Sequence, residues 1–124
     1  MESNFSTDNV QVGDKVIVIV AGLGSSREYI GEVTKKTPTG LIDVCYAGTA
    51  VTRFNKYGRD YSKQSRFSYT FIYIEQYTEE KADIIRARDK RERIMNFLKG
   101  RDWYAYEDTE LEQIYNFIKG LRNT

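Results

Sequence analysis

From Val12 to Glu75 short β-branched runs alternate with turn residues, and from Thr78 onward the apolar spacing lengthens to that of a helix. The run Val12–Val20 predicts a first strand, with Val16, Val18 and Val20 on one face and Ile17 and Ile19 on the other. Because both faces are apolar, one must be covered from outside the sheet, and the C-terminal helices are the expected cover. Gly22 to Ser26 reads as a flexible loop and Tyr29–Lys36 as a second strand, with Gly31 marking a bulge or bend. Thr37-Pro38-Thr39-Gly40 predicts a turn in which Pro38 presets φ and Gly40 takes a left-handed conformation. Leu41–Tyr46, Thr49–Phe54 and Arg66–Glu75 supply three further strands, with Ala47-Gly48 as a turn and Asn55–Gln64 as a polar loop. Residues 1–11 are polar apart from Phe5 and Val10 and read as a frayed terminus.

Thr78 is placed as the N-cap of a helix reaching Lys99, with Glu79 and Glu80 in its electropositive first turn and Gly100 as its C-terminal cap. The middle of this helix, R-A-R-D-K-R-E-R, is charged on every side and reads as a solvated span with pairs such as Asp89–Arg93. A connector carrying Trp103, Tyr104 and Tyr106 leads to a second helix capped by Asp108, and Trp103 is expected to pack between the helices or on the sheet. Leu111, Ile114, Ile118 and Leu121 form a stripe read as core, with a dimer contact as the alternative use. The expected class is α+β. A half-open five-stranded barrel at residues 12–77 precedes a helical hairpin at 78–124, which packs on the barrel or forms an oligomer interface.

Composition narrows the chemistry more than it names it. In 124 residues, 19 basic and 18 acidic side chains leave a net charge of +1, so any nucleic-acid contact must rest on a local patch. With no histidine and a single cysteine, Cys45, the usual zinc sites and histidine acid–base chemistry have no residues to use. No cofactor is expected, and the reading is of a non-enzyme. No apolar run approaches the ~18 residues of a membrane span, and the first residues lack the pattern of a signal peptide. A cytoplasmic setting without membrane contact follows as the expectation.

The candidate ligand surface is R-F-N-K-Y-G-R-D-Y-S-K-Q-S-R-F-S-Y, residues 53–69. Arg53, Lys56, Arg59, Lys63 and Arg66 are interleaved there with Tyr57, Tyr61 and Tyr69 against one acid, Asp60. Guanidinium groups grip phosphate through paired N–H donors, and tyrosine rings stack on bases. The competing structural reading is a barrel rim of tyrosines beside solvated cations. Gly22–Ser26 offers backbone N–H groups to an anion but lacks the lysine and helix of a phosphate loop.

The stretches V-G-D-K-V-I-V, G-E-V-T-K-K-T-P-T-G-L-I-D-V, R-F-N-K-Y-G-R-D and D-W-Y-A-Y-E-D-T-E-L-E-Q-I resemble small phage and prophage proteins. The resemblance implies an N-terminal SH3-like barrel and a helical tail, and it implies no particular activity. It leads to the expectation of a non-catalytic phage-type binding protein acting in the host cytoplasm. Such a protein would antagonise host physiology or defence by sequestering an anionic ligand, a nucleotide signal or nucleic acid. An adaptor or inhibitor docking a host protein, and a minor virion or assembly component, are the alternatives, and a homo-oligomer is compatible with each.

Overall fold

The structure is a computed structural model that describes residues 5–22, 24–61 and 70–122. Five strands, β1 (Lys15–Gly22), β2 (Ser25–Lys36), β3 (Ile42–Tyr46), β4 (Ala50–Phe54) and β5 (Phe71–Gln76), precede helices α1 (Glu79–Lys99) and α2 (Asp108–Arg122). The strands form one antiparallel sheet in the order β4-β3-β2-β1-β5, curled into an SH3-like half-barrel. The class is α+β. Contacts divide the chain into two compact units, Met1–Arg88 and Asp89–Thr124, with the boundary inside α1.

Period-two alternation sorts the apolar residues of the first unit into two layers. Val16, Val18, Val33, Ile42, Val44, Tyr46, Phe54 and Ile74 fill the barrel interior. On the outer face Ile17 and Ile19 are buried beneath Ile85 of α1, flanked by Ile30, Tyr73 and Tyr77. The helix is therefore the cover that a doubly apolar β1 requires. It is fixed there by its cap, in which Thr78 Oγ1 accepts the Lys81 N–H at 3.2 Å. Polar links reinforce the cap: Lys81 Nζ to Glu75 Oε1 at 3.0 Å and Arg86 Nη2 to the Tyr77 hydroxyl at 2.9 Å. The Tyr77 hydroxyl, with Glu79 and Asp83, holds the Arg86 guanidinium above its ordinary pKa.

Several local expectations give way to the packing. Gly22–Ser26 is no loop: β1 runs to Gly22, β2 starts at Ser25, and Gly24 turns the hairpin at φ +79°. Gly31 is paired regularly with Val16, and the register shift lies instead between Val33 and Lys35. Its role is close approach, since a Cβ there would meet Val44 Cγ1 at 2.6 Å and Val18 Cγ2 at 2.8 Å. Val18 and Val44 sit on β1 and β3, and they reach each other across the missing side chain of β2.

The N-terminal segment is not frayed from Phe5 onward. Thr7–Asn9 is a turn of 3₁₀ helix, Thr7 and Val10 are buried, and Phe5 packs on the core. Thr7 donates its hydroxyl to the Gly40 carbonyl at 2.8 Å and its N–H to the Lys56 carbonyl at 3.0 Å. The segment so ties the β2–β3 turn to the chain after β4. Its polar residues point the wrong way because a plug needs few apolar side chains when its backbone is bonded on both sides.

Gly100 follows α1 without the left-handed φ of a glycine cap, and its N–H still donates to the Asn96 carbonyl at 2.9 Å. The cap of α2 falls one residue earlier than expected, at Glu107, whose N–H donates to Glu110 Oε1 at 2.9 Å. Trp103 stacks on Tyr106 with ring centroids 5.5 Å apart. The α2 stripe is not core at its end, where Ile118 and Leu121 are 59% and 66% exposed. The fifth strand is described from Phe71, and the expected residues before Thr70 lie outside the described set.

Two substitutions test these contacts. Gly31→Ala should destabilise by ~1–3 kcal/mol through overpacking against Val18 and Val44. Thr7→Val should lose ~1–3 kcal/mol by stranding the Gly40 carbonyl. Urea unfolding of each variant measures both, and unchanged midpoints would contradict the close approach and the plug.

Candidate functional site

Residues 55–61 form a hairpin where a polar loop, Asn55–Gln64, was expected, and residues 62–64 of that loop lie outside the described set. Asn55 folds it: its side-chain Oδ1 accepts the Tyr57 N–H at 2.9 Å and the Arg59 N–H at 3.1 Å. The Gly58 N–H donates to the Asn55 carbonyl at 2.9 Å, and Gly58 takes φ +82°. The returning arm then bonds on both sides. Toward β4, Asn55 N–H donates to the Arg59 carbonyl and Tyr61 N–H to the Arg53 carbonyl, each at 2.8 Å. Toward β5, Asp60 N–H reaches the Ile72 carbonyl at 3.1 Å and Ile74 N–H the Gly58 carbonyl at 2.8 Å. Residues Gly58–Asp60 thus close the barrel between its two edge strands.

Phe54 is buried, so alternation places Arg53 and Asn55 on the outer face, and the pairing carries Arg59 and Tyr61 with them. Arg59 pairs with Tyr73 of β5. Two places further along this register, Tyr61 stands level with Phe71. Tyr57, Tyr61 and Phe71 are 62%, 57% and 62% exposed. Lys56 Nζ sits 5.2 Å from the centroid of the Tyr57 ring.

Arg53 is committed within the protein. Its Nε donates to Asp43 Oδ1 at 2.7 Å and its Nη2 to Asp43 Oδ2 at 3.1 Å, a bidentate pair across β3 and β4. The hydrogen bond from Arg53, aided by its charge and that of Lys35, holds the Asp43 carboxyl below its ordinary value. The same bond raises the Arg53 guanidinium, with the Tyr61 phenol a minor contributor. Among the described residues no acidic side chain forms an ion pair with Lys56 or Arg59.

Of the sequence-predicted residues, Arg53, Lys56, Tyr57, Arg59 and Tyr61 therefore share one hairpin; Arg53, Arg59 and Tyr61 lie on its outer face, with Arg53 in a structural role, and Lys56 and Tyr57 sit at its turn. Lys63 and Arg66, with Tyr69, lie outside the described residues. Phe71, Asn55 and Gly58 were missed. The N-x-x-G spacing of Asn55 and Gly58 was the available signal, whereas the exposure of Phe71 depends on register and had none. The larger clefts lie elsewhere: one of about 550 Å3 is lined by Phe5, Val10, Lys15 and Gln76 and contains none of the candidates. Among the described residues no three acids or thiols gather as a metal site, and no helix is long and apolar enough to cross a membrane. No family model matches the chain, and no curated protein or solved structure matches it.

The Asp43 shift fixes a pH dependence. A carboxyl held low in the folded state stabilises above its unfolded pKa, near 3.8, and loses that contribution as pH falls from there through the lowered folded value. Asp43→Asn should therefore melt below the parent at neutral pH, and the gap should close as pH drops below the unfolded value near 3.8. A gap independent of pH would remove the charge from the account.

Proposed function

We propose that the outer face of the closing hairpin is a non-catalytic binding surface for single-stranded nucleic acid. The observation that carries this reading is the exposed pair Tyr61 and Phe71, level on the outer face with Arg59, and the exposed Tyr57 with Lys56 over its ring at the hairpin turn, on a backbone bonded along both edges. Rings held on a rigid ladder stack on successive bases with little ordering cost, and neighbouring cations meet the phosphates. An open face suits a strand that lies across it; a free nucleotide is better served by a concave site that encloses it. The near-neutral chain limits the electrostatic part, so stacking carries much of the affinity. With the resemblance to phage proteins, such a surface fits a small stoichiometric binder that sequesters or covers a strand in an infected host.

Binding of an oligothymidine about 10 nucleotides long, within the usual span of such sites, tests the reading by fluorescence anisotropy across a salt series. Phe71→Ala and Tyr57→Ala should each weaken binding by ~1–3 kcal/mol of lost stacking. Arg59→Ala should cost ~1.5–3 kcal/mol and flatten the salt dependence by about 0.7 in slope for each phosphate contact removed. All three side chains are exposed, so melting should hold. Absence of oligonucleotide binding at low salt, or stabilisation by a mononucleotide alone, would reject the single-strand reading.

A further inference from the structure

We infer that α2 is the seam of a twofold-symmetric homodimer, in which it pairs antiparallel with α2 of a second copy. Its apolar residues read Leu111, Ile114, Tyr115 and then Phe117, Ile118, Leu121. This order is symmetric about Asn116. In an antiparallel pair centred there, Leu111 lies level with the partner's Leu121 and Ile114 with its Ile118, while Tyr115 and Phe117 flank the seam on its two sides. An isologous contact needs this property, because a residue that meets another across a twofold axis must be met by it in return. The spacing of Leu111, Ile114, Ile118 and Leu121 is also the three-four alternation of a packed helix seam.

The charges run the same way. Asp108, Glu110 and Glu112 make the first half of α2 acidic, and Lys119 and Arg122 make the second half basic. Antiparallel pairing lays each acidic half along the partner's basic half and opposes the helix dipoles. A parallel pair would set like charges side by side.

The exposed side chains suit the task. Besides α2, the end of α1 presents Ile94, Met95, Phe97 and Leu98 within the same compact unit. On α2 itself Tyr115, Phe117, Ile118 and Leu121 are exposed by between 59% and 68%, the bare apolar side chains that an interface core covers.

Sedimentation velocity of the full chain at micromolar concentration should give twice the 14.5 kDa chain mass. Ile118→Glu and Ile114→Lys, each alone, should raise the dimer dissociation constant by roughly tenfold or more. Mixing the two variants should restore a heterodimer. The antiparallel register sets the carboxylate introduced by Ile118→Glu on one chain against the ammonium introduced by Ile114→Lys on the other, while the opposite layer stays isoleucine on isoleucine. A parent chain that sediments as a monomer overturns the proposal. Its response to Ile118→Glu then tells what covers the face: a lowered melting temperature means cover within the chain, and an unchanged one means a foreign partner. A dimer that withstands both substitutions, or a mixture that fails to reassociate, overturns it equally.

Discussion

Val16 and Val18 point into the barrel while Ile17 and Ile19 point out of it, and all four are buried. Strand β1 can exist in water only if two separate layers form around it. The inner layer demands that β2 to β5 curl, which is why Gly31 gives up its side chain where Val18 and Val44 converge. The outer layer demands a helix, and α1 is capped and tethered at the point where Ile85 reaches Ile17 and Ile19. Each apolar side chain so covered contributes ~1.5–3 kcal/mol, against which the exposed ion pairs of the first helical turns are small.

Closure of the barrel and construction of the candidate surface are one event. The returning arm Gly58–Asp60 bonds to the end of β4 and to β5 together, bridging their facing edges. The same backbone bonds hold Arg59 and Tyr61 outward and set Tyr61 level with Phe71. Asp43 removes Arg53 from the set of available cations, which leaves Lys56 and Arg59 on the described hairpin beside Tyr57, Tyr61 and the neighbouring Phe71.

The framework was legible in the sequence because it is written in alternation and in turns with a mechanism. The left-handed glycine at Gly40, the cap at Thr78 and the doubly apolar β1 all follow from single residues and their neighbours. What escaped depended on partners distant in sequence. Thr7 is polar in isolation and buried only because Gly40 and Lys56 receive its hydrogen bonds. Arg53 read as a ligand cation because its partner Asp43 lies on the neighbouring strand, ten residues back along the chain. Phe71 read as one more strand aromatic, and only the register with the closing arm shows which way it faces.

The pairing of β1 with β5 joins Val16 to Gln76, across most of the first compact unit. Contacts so far apart in sequence form slowly, since a long loop must close before they stabilise anything. During synthesis β1 to β4 can form as a meander, yet the edge of β1 and the outer row of Ile17 and Ile19 stay uncovered until Ile85 has left the ribosome. The nascent chain therefore carries a sticky strand for about half of its translation, the state most open to mispairing and to chaperone capture.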